Sequence, residues 1–105
     1  MPKAVESLLW WILAGTKGGR TRARIIINLK ERPMNANQLA DLMKLDYKTI
    51  RYHLNLLLEN DLLVTVGKKY GVMHFLSPQL ESNYEAFLEI WKKITRETFN
   101  EKIKG

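Results

Sequence analysis

The chain has no cysteine. That excludes a disulfide framework, thiolate metal centres, a cysteine nucleophile and a thiol redox switch, and it fits a reducing compartment. Histidine is scarce too. His53 and His74 lie far apart in 105 residues, so a metal site would need carboxylates brought in by the fold; no metal or cofactor is expected. Long apolar runs are missing as well. The longest, residues 8–14, falls short of the ~18–20 residues that span a bilayer. Basic residues rather than a small-residue cleavage site follow it, so neither a membrane span nor a signal peptide is expected. There is no internal repeat, no Ser-His-Asp grouping, no phosphate-cradling glycine loop and no pair of carboxylates with a plausible pocket. An enzyme is therefore not expected. What remains is a cytoplasmic protein of one domain, residues 1–105, with the composition of a folded chain.

Charge is present in excess. Lysine and arginine number 17 against 11 acidic residues, for a net charge of +6. Residues 1–77 hold twelve basic and six acidic side chains, and residues 78–105 hold five of each, so the whole excess precedes residue 78. Lys17, Arg20, Arg22, Arg24, Lys30 and Arg32 crowd the stretch before Pro33. A polyanionic partner touching the first three quarters of the chain is the natural inference.

Hydrophobic periodicity divides the chain into elements. Val5, Leu8, Leu9, Ile12 and Leu13 have helical spacing over residues 3–14, with Trp10 and Trp11 widening the stripe. Gly15, Gly18 and Gly19 end that helix. A second helix over 20–30 is expected to bury Ala23, Ile26, Ile27 and Leu29, and Pro33 follows it. Asn35 and Gln38 have capping-box spacing for a third helix ending near Lys44. Asp46 caps a fourth over 47–59, whose buried stripe is Ile50, Leu54, Leu57 and Leu58. Asn60 and Asp61 suit a left-handed end. Residues 62–66 and 72–76, joined by a glycine-flanked turn at 67–71, read as a β-hairpin. Pro78 opens a last helix expected to run unbroken to about residue 103. Along it Leu80, Tyr84, Phe87, Trp91, Ile94 and Thr98 step by four and three, as in a coiled-coil seam.

Two short helices joined by a tight turn and followed by a hairpin define a helix-turn-helix with a wing. The predicted fold is mainly α with a small antiparallel β-hairpin: a winged core at 20–77, an N-terminal helix and glycine-rich loop at 1–19, and a long C-terminal helix at 78–105. The face of helix 47–59 away from its apolar stripe carries Tyr47, Lys48, Arg51, Tyr52 and Asn55. Arginine binds guanine O6 and N7 bidentately, asparagine does so for adenine, and tyrosine and lysine reach phosphates or base edges. Thr49 suits a phosphate contact or a local cap. Lys68 and Lys69 at the wing tip, beside Tyr70, and Arg20, Arg22 and Arg24 at the start of the second helix are candidate backbone contacts. His53 reads as a packed, hydrogen-bonded histidine, and His74 as a solvent-side strand residue.

These strings resemble the arsenical-repressor-like (ArsR-type) winged helix-turn-helix regulators, especially their archaeal members: NQLADLM at 37–43, LDYKTIRYHLNLL at 45–57 and DLL at 61–63. The His53-Leu54 pair stands where the family has one in its recognition helix. Lys44 and Asp61 stand where glycine is usual, in the turn and at the wing. The resemblance implies sequence-specific binding of double-stranded DNA by a homodimer, and transcription regulation as the role. It does not carry over a metal-sensing role, because the family's cysteines, and histidines in the last helix, are absent. Trp10, Trp11, Tyr84, Phe87, Trp91 and Ile94 are the expected dimer-interface residues. No effector can be named. The competing expectation is a winged module for protein interaction or RNA association, which would more often place apolar residues on the stripe that here carries Arg51 and Asn55.

Overall fold

A computed structural model describes residues 3–104, with side chains throughout that range except at 3, 70 and 97–104. Thr98 and Tyr70 lie outside the described side chains. Helix α1 (Lys3–Trp10) buries Val5 and Leu9, then widens into a π-helical turn at Trp11–Gly15 that turns both Ile12 and Leu13 inward. Gly18 takes a φ of 90°, a conformation that costs a residue with a Cβ roughly 1–2 kcal/mol. Gly19 packs against the Leu13 carbonyl so closely that no Cβ fits.

Helix α2 (Gly19–Glu31) buries Arg22, Ala23, Ile25, Ile26 and Leu29, while Ile27 is half-buried. The inward face is thus one position round from the expected one. Helix α3 (Ala36–Met43) begins with the expected capping box: Gln38 N donates to Asn35 Oδ1 at 2.8 Å, and Asn35 N donates to Gln38 Oε1 at 2.9 Å. It ends in a left-handed Lys44 with φ 57°, and Leu45 N donates to Ala40 O. Helix α4 (Tyr47–Glu59) follows at once and buries Ile50, His53, Leu54 and Leu57. At its end Asp61 also has φ 57°, with Asp61 N bonded to Leu58 O and Leu62 N to Leu57 O. That is a Schellman motif with aspartate at the position glycine favours.

Strands β1 (Leu63–Val66) and β2 (Met73–Leu76) pair antiparallel, with Leu63 opposite Leu76 and Thr65 opposite His74. Because side chains alternate along a strand, His74 shares the inward face with Leu76. His74 is buried, at 1% exposure, which corrects its assignment to the solvent side. Its backbone N–H donates to Met34 O at 2.9 Å, so the segment before α3 joins the hairpin as a one-residue bridge.

The final helix is broken, contrary to the expected single run. Helix α5 (Pro78–Ser82) is capped by Ser77, whose Oγ accepts from Leu80 N at 3.1 Å. Asn83 then stops it, its side-chain amide donating to Gln79 O at 2.8 Å, before α6 (Tyr84–Lys104). The coiled-coil count therefore crossed a discontinuity between Leu80 and Tyr84. Among the described side chains of α5 and α6, Leu80, Phe87 and Ile90 are buried in the core. α1 packs on α6, α2 on the hairpin and α4, and α3 on α4. Lys30 ties the end of α2 to α5 through Glu81 at 2.7 Å, and its ammonium lies 4.9 Å from the Tyr84 ring centroid.

Candidate nucleic-acid interface

Helix α4 starts at Asp46, whose carboxylate accepts from Thr49 N at 3.0 Å and from Thr49 Oγ1 at 2.6 Å. The side-chain bond from Thr49, followed by the backbone one, lowers the Asp46 pKa from its ordinary value. Asp46 is thereby the N-cap of α4, and Thr49 is the residue that donates to it. Burial of Ile50, Leu54 and Leu57 turns the other face outward. Tyr47, Lys48, Tyr52 and Asn55 are exposed there and Arg51 is half-exposed. Arg51 Nη2 donates to Asn55 Oδ1 at 3.0 Å, one turn on. That contact holds the guanidinium along the helix before any ligand arrives, with most of its five N–H donors still available.

The wing lies beside this stripe. Lys68 and Lys69 are exposed at its tip, the second with φ 53°. Between the wing, the first turn of α3 and α4 lies a cavity of about 420 Å³, lined among others by Tyr47, Arg51, Thr65, Lys69 and His74. His74 Nδ1 lies 3.1 Å from Met34 O. A carbonyl only accepts, so Nδ1 carries the proton. Nε2 is buried, and no hydrogen-bond partner reaches it. Burial, foremost, and the charge of Arg51 hold the His74 pKa below the ordinary histidine value, against the Met34 hydrogen bond. Sequence reasoning missed this site, since no one segment contains it.

Arg20 and Arg24 are exposed on α2, but Arg22 is not a phosphate contact. Its side chain is wholly buried. Nε donates to Ile12 O at 2.9 Å, Nη2 to Lys17 O at 2.9 Å and to the Thr16 hydroxyl, and Nη1 to His53 Nδ1 at 3.1 Å. Burial lowers the Arg22 pKa, yet a guanidinium stays protonated in proteins. His53 must then accept at Nδ1. Burial first, and the Arg22 charge second, lower the pKa of His53, which is the packed, hydrogen-bonded histidine expected. Lys30, also in the basic stretch, is engaged by Glu81, and that hydrogen bond raises its pKa.

The aromatic residues divide between core and surface. Phe87 is fully buried in its own chain, 5.4 Å from the Tyr84 ring, so it leaves the set of interface candidates. Trp11 is 44% exposed, and Trp10, Tyr84, Trp91 and Ile94 are half-buried along α1 and α6.

Residues 20–66 match the family described as a helix-turn-helix domain. No curated protein sequence matches the chain. Among solved structures it is similar to a probable transcriptional regulator from Pseudomonas aeruginosa, at 21% identity over 98% of this chain and 86% of that one, with a TM-score of 0.67. It is also similar to ZitR from Lactococcus lactis, at 20% identity over 77% of this chain and 55% of that one, TM-score 0.58. A third is the adhesin competence repressor AdcR from Streptococcus pyogenes, at 15% identity over 97% and 80%, TM-score 0.58. The chain has the winged helix-turn-helix fold.

Proposed function

We propose that this protein is a DNA-binding transcription regulator of the ArsR-like kind, archaeal in type, that reads double-stranded DNA as a homodimer in the cytoplasm and is not an enzyme. Helix α4 lies in the major groove, with Arg51 and Asn55 on base edges and Tyr47, Lys48 and Tyr52 flanking them. Lys68, Lys69 and Arg20 contact phosphates, and α1 and α6 carry the dimer contacts through Trp10, Trp11, Tyr84, Trp91 and Ile94. One observation carries this reading: the outward face of α4 presents a preformed Arg51–Asn55 pair beside a basic wing. Two similar structures, a probable transcriptional regulator and an adhesin competence repressor, support it.

Selection from random duplexes at fixed salt tests it. A sequence preference should emerge, and Arg51→Ala should cost about 1–3 kcal/mol on the selected site and relax one position. If Arg51→Ala and Asn55→Ala both leave preference and affinity intact, α4 does not read the groove.

A further inference from the structure

We propose that Arg51 and Asn55 act as one reader that only donates hydrogen bonds, and that it selects keto bases, guanine or thymine, over adenine and cytosine. The inference rests on the DNA-binding reading and sharpens it, because an asparagine acting alone pairs with adenine.

The contact between the two side chains fixes what each has left to offer. Arg51 Nη2 donates to Asn55 Oδ1 at 3.0 Å across one turn of α4. A guanidinium has donors and no acceptor, so the amide atom that faces it must be the oxygen. Asn55 is thereby held with its oxygen toward Arg51 and its NH2 on the other edge of the amide. Asn55 is exposed and Arg51 half-exposed, so a ligand meets the amide N–H groups and most of the guanidinium donors. Lys48, three residues before Arg51 and also exposed, adds donors alone. The carboxylate at the helix start, Asp46, is engaged by Thr49 at 3.0 and 2.6 Å.

Major-groove edges divide against such a reader. Guanine shows two acceptors, N7 and O6, and thymine shows O4; adenine and cytosine each show an amine donor. To read adenine bidentately, Asn55 must offer its oxygen to the N6 amine and its NH2 to N7 at once. Oδ1 has a second lone pair, but using it sets the adenine amine against the Arg51 guanidinium, donor facing donor. Breaking the contact with Arg51 instead forfeits a charge-assisted hydrogen bond. Cytosine brings only its amine. Keto bases meet neither obstacle, and guanine, with two acceptors, suits both side chains best.

The test is selection from random duplexes at fixed salt, run with the wild-type chain, Asn55→Ala and Arg51→Ala. The base position that Asn55→Ala relaxes is the one Asn55 reads. The wild type should select guanine or thymine there, and adenine in its place should weaken binding about tenfold or more. Removing Arg51 frees the Asn55 oxygen, so Arg51→Ala should move that same position toward adenine. Loss of a phosphate contact or of helix stability would weaken all duplexes together and cause no such exchange. If Arg51→Ala binds too weakly for selection, competition between adenine and thymine duplexes at lower salt, where all binding tightens, gives the same ratio. Adenine or cytosine preferred by the wild type at that position overturns the inference and leaves the DNA-binding reading standing. So does Arg51→Ala without a rise in adenine, or an Asn55→Ala selection identical to the wild type. A wild-type chain that selects no sequence overturns the DNA-binding reading, and this inference with it.

Discussion

Arg22 shows how one residue couples segments that sequence keeps apart. Its guanidinium satisfies carbonyls from two residues of the segment after α1 and the His53 ring of α4. Arg22→Met would keep much of the volume but leave those acceptors buried without donors. A loss of about 2–4 kcal/mol is expected from urea unfolding. Arg22→Lys should not restore it, because one ammonium lacks the planar fork that meets several acceptors. A loss below about 0.5 kcal/mol, the range of an ordinary surface change, would show that the network contributes nothing. The position was legible: Arg22 falls three, four and seven residues before Ile25, Ile26 and Leu29, on the inward face of α2. Positive charge near other positive charge suggested a surface instead. His74 repeats the lesson, two residues from Leu76 on the buried face of β2. Both histidines have depressed native pKa values, chiefly through burial. Their unfolded counterparts take up protons near pH 6.5 while the native ones do not. Stability should thus be full above about pH 6.5 and fall below it, by up to about 1.4 kcal/mol per pH unit for each histidine, until the native pKa is reached. Urea midpoints measured from pH 7.5 to 5 should trace that decline, and a flat profile would contradict it.

At the scale of elements, the short polar signals held. The capping box at Asn35, the Asp46 cap and the proline opening α5 all act locally, within three residues, and so could be read from the chain itself. The break at Asn83 could not, because its amide competes for the Gln79 carbonyl in a stretch whose apolar spacing continues unbroken. Nor could the cavity under the wing, which exists only once α3, α4 and the hairpin converge. Two helix ends bear a measurable cost. Lys44 and Asp61 hold left-handed φ values of 57°; the steric penalty of roughly 1–2 kcal/mol exceeds the ~0.5–1 kcal/mol entropic cost of glycine. Lys44→Gly should raise stability by about 0.5–1 kcal/mol. Thermal unfolding would register it as an increase of a few degrees, and a decrease would mean that the Lys44 side chain supports the turn.

For the whole molecule, the half-buried Trp91 and Ile94 of α6 and the exposed Trp11 set the assembly prediction. On the proposed reading a single α4 would cover only a few base pairs, too little for selectivity against a genome. Trp91→Gln with Ile94→Gln should give a folded monomer by circular dichroism and sedimentation equilibrium, with duplex affinity reduced at least about a hundredfold. A wild-type chain that sediments as a monomer at tens of micromolar would remove the dimer. The buried bonds of Arg22 bear on what such a pair would read. They fasten the segment after α1, next to where two copies would meet, to α4. In such a pair each protomer would act as a rigid gauge, and the gap between the two α4 helices would be a fixed length set by the protein. On duplexes with half-sites about one helical turn apart, adding a single base pair between them would cost as much as a wrong base within them.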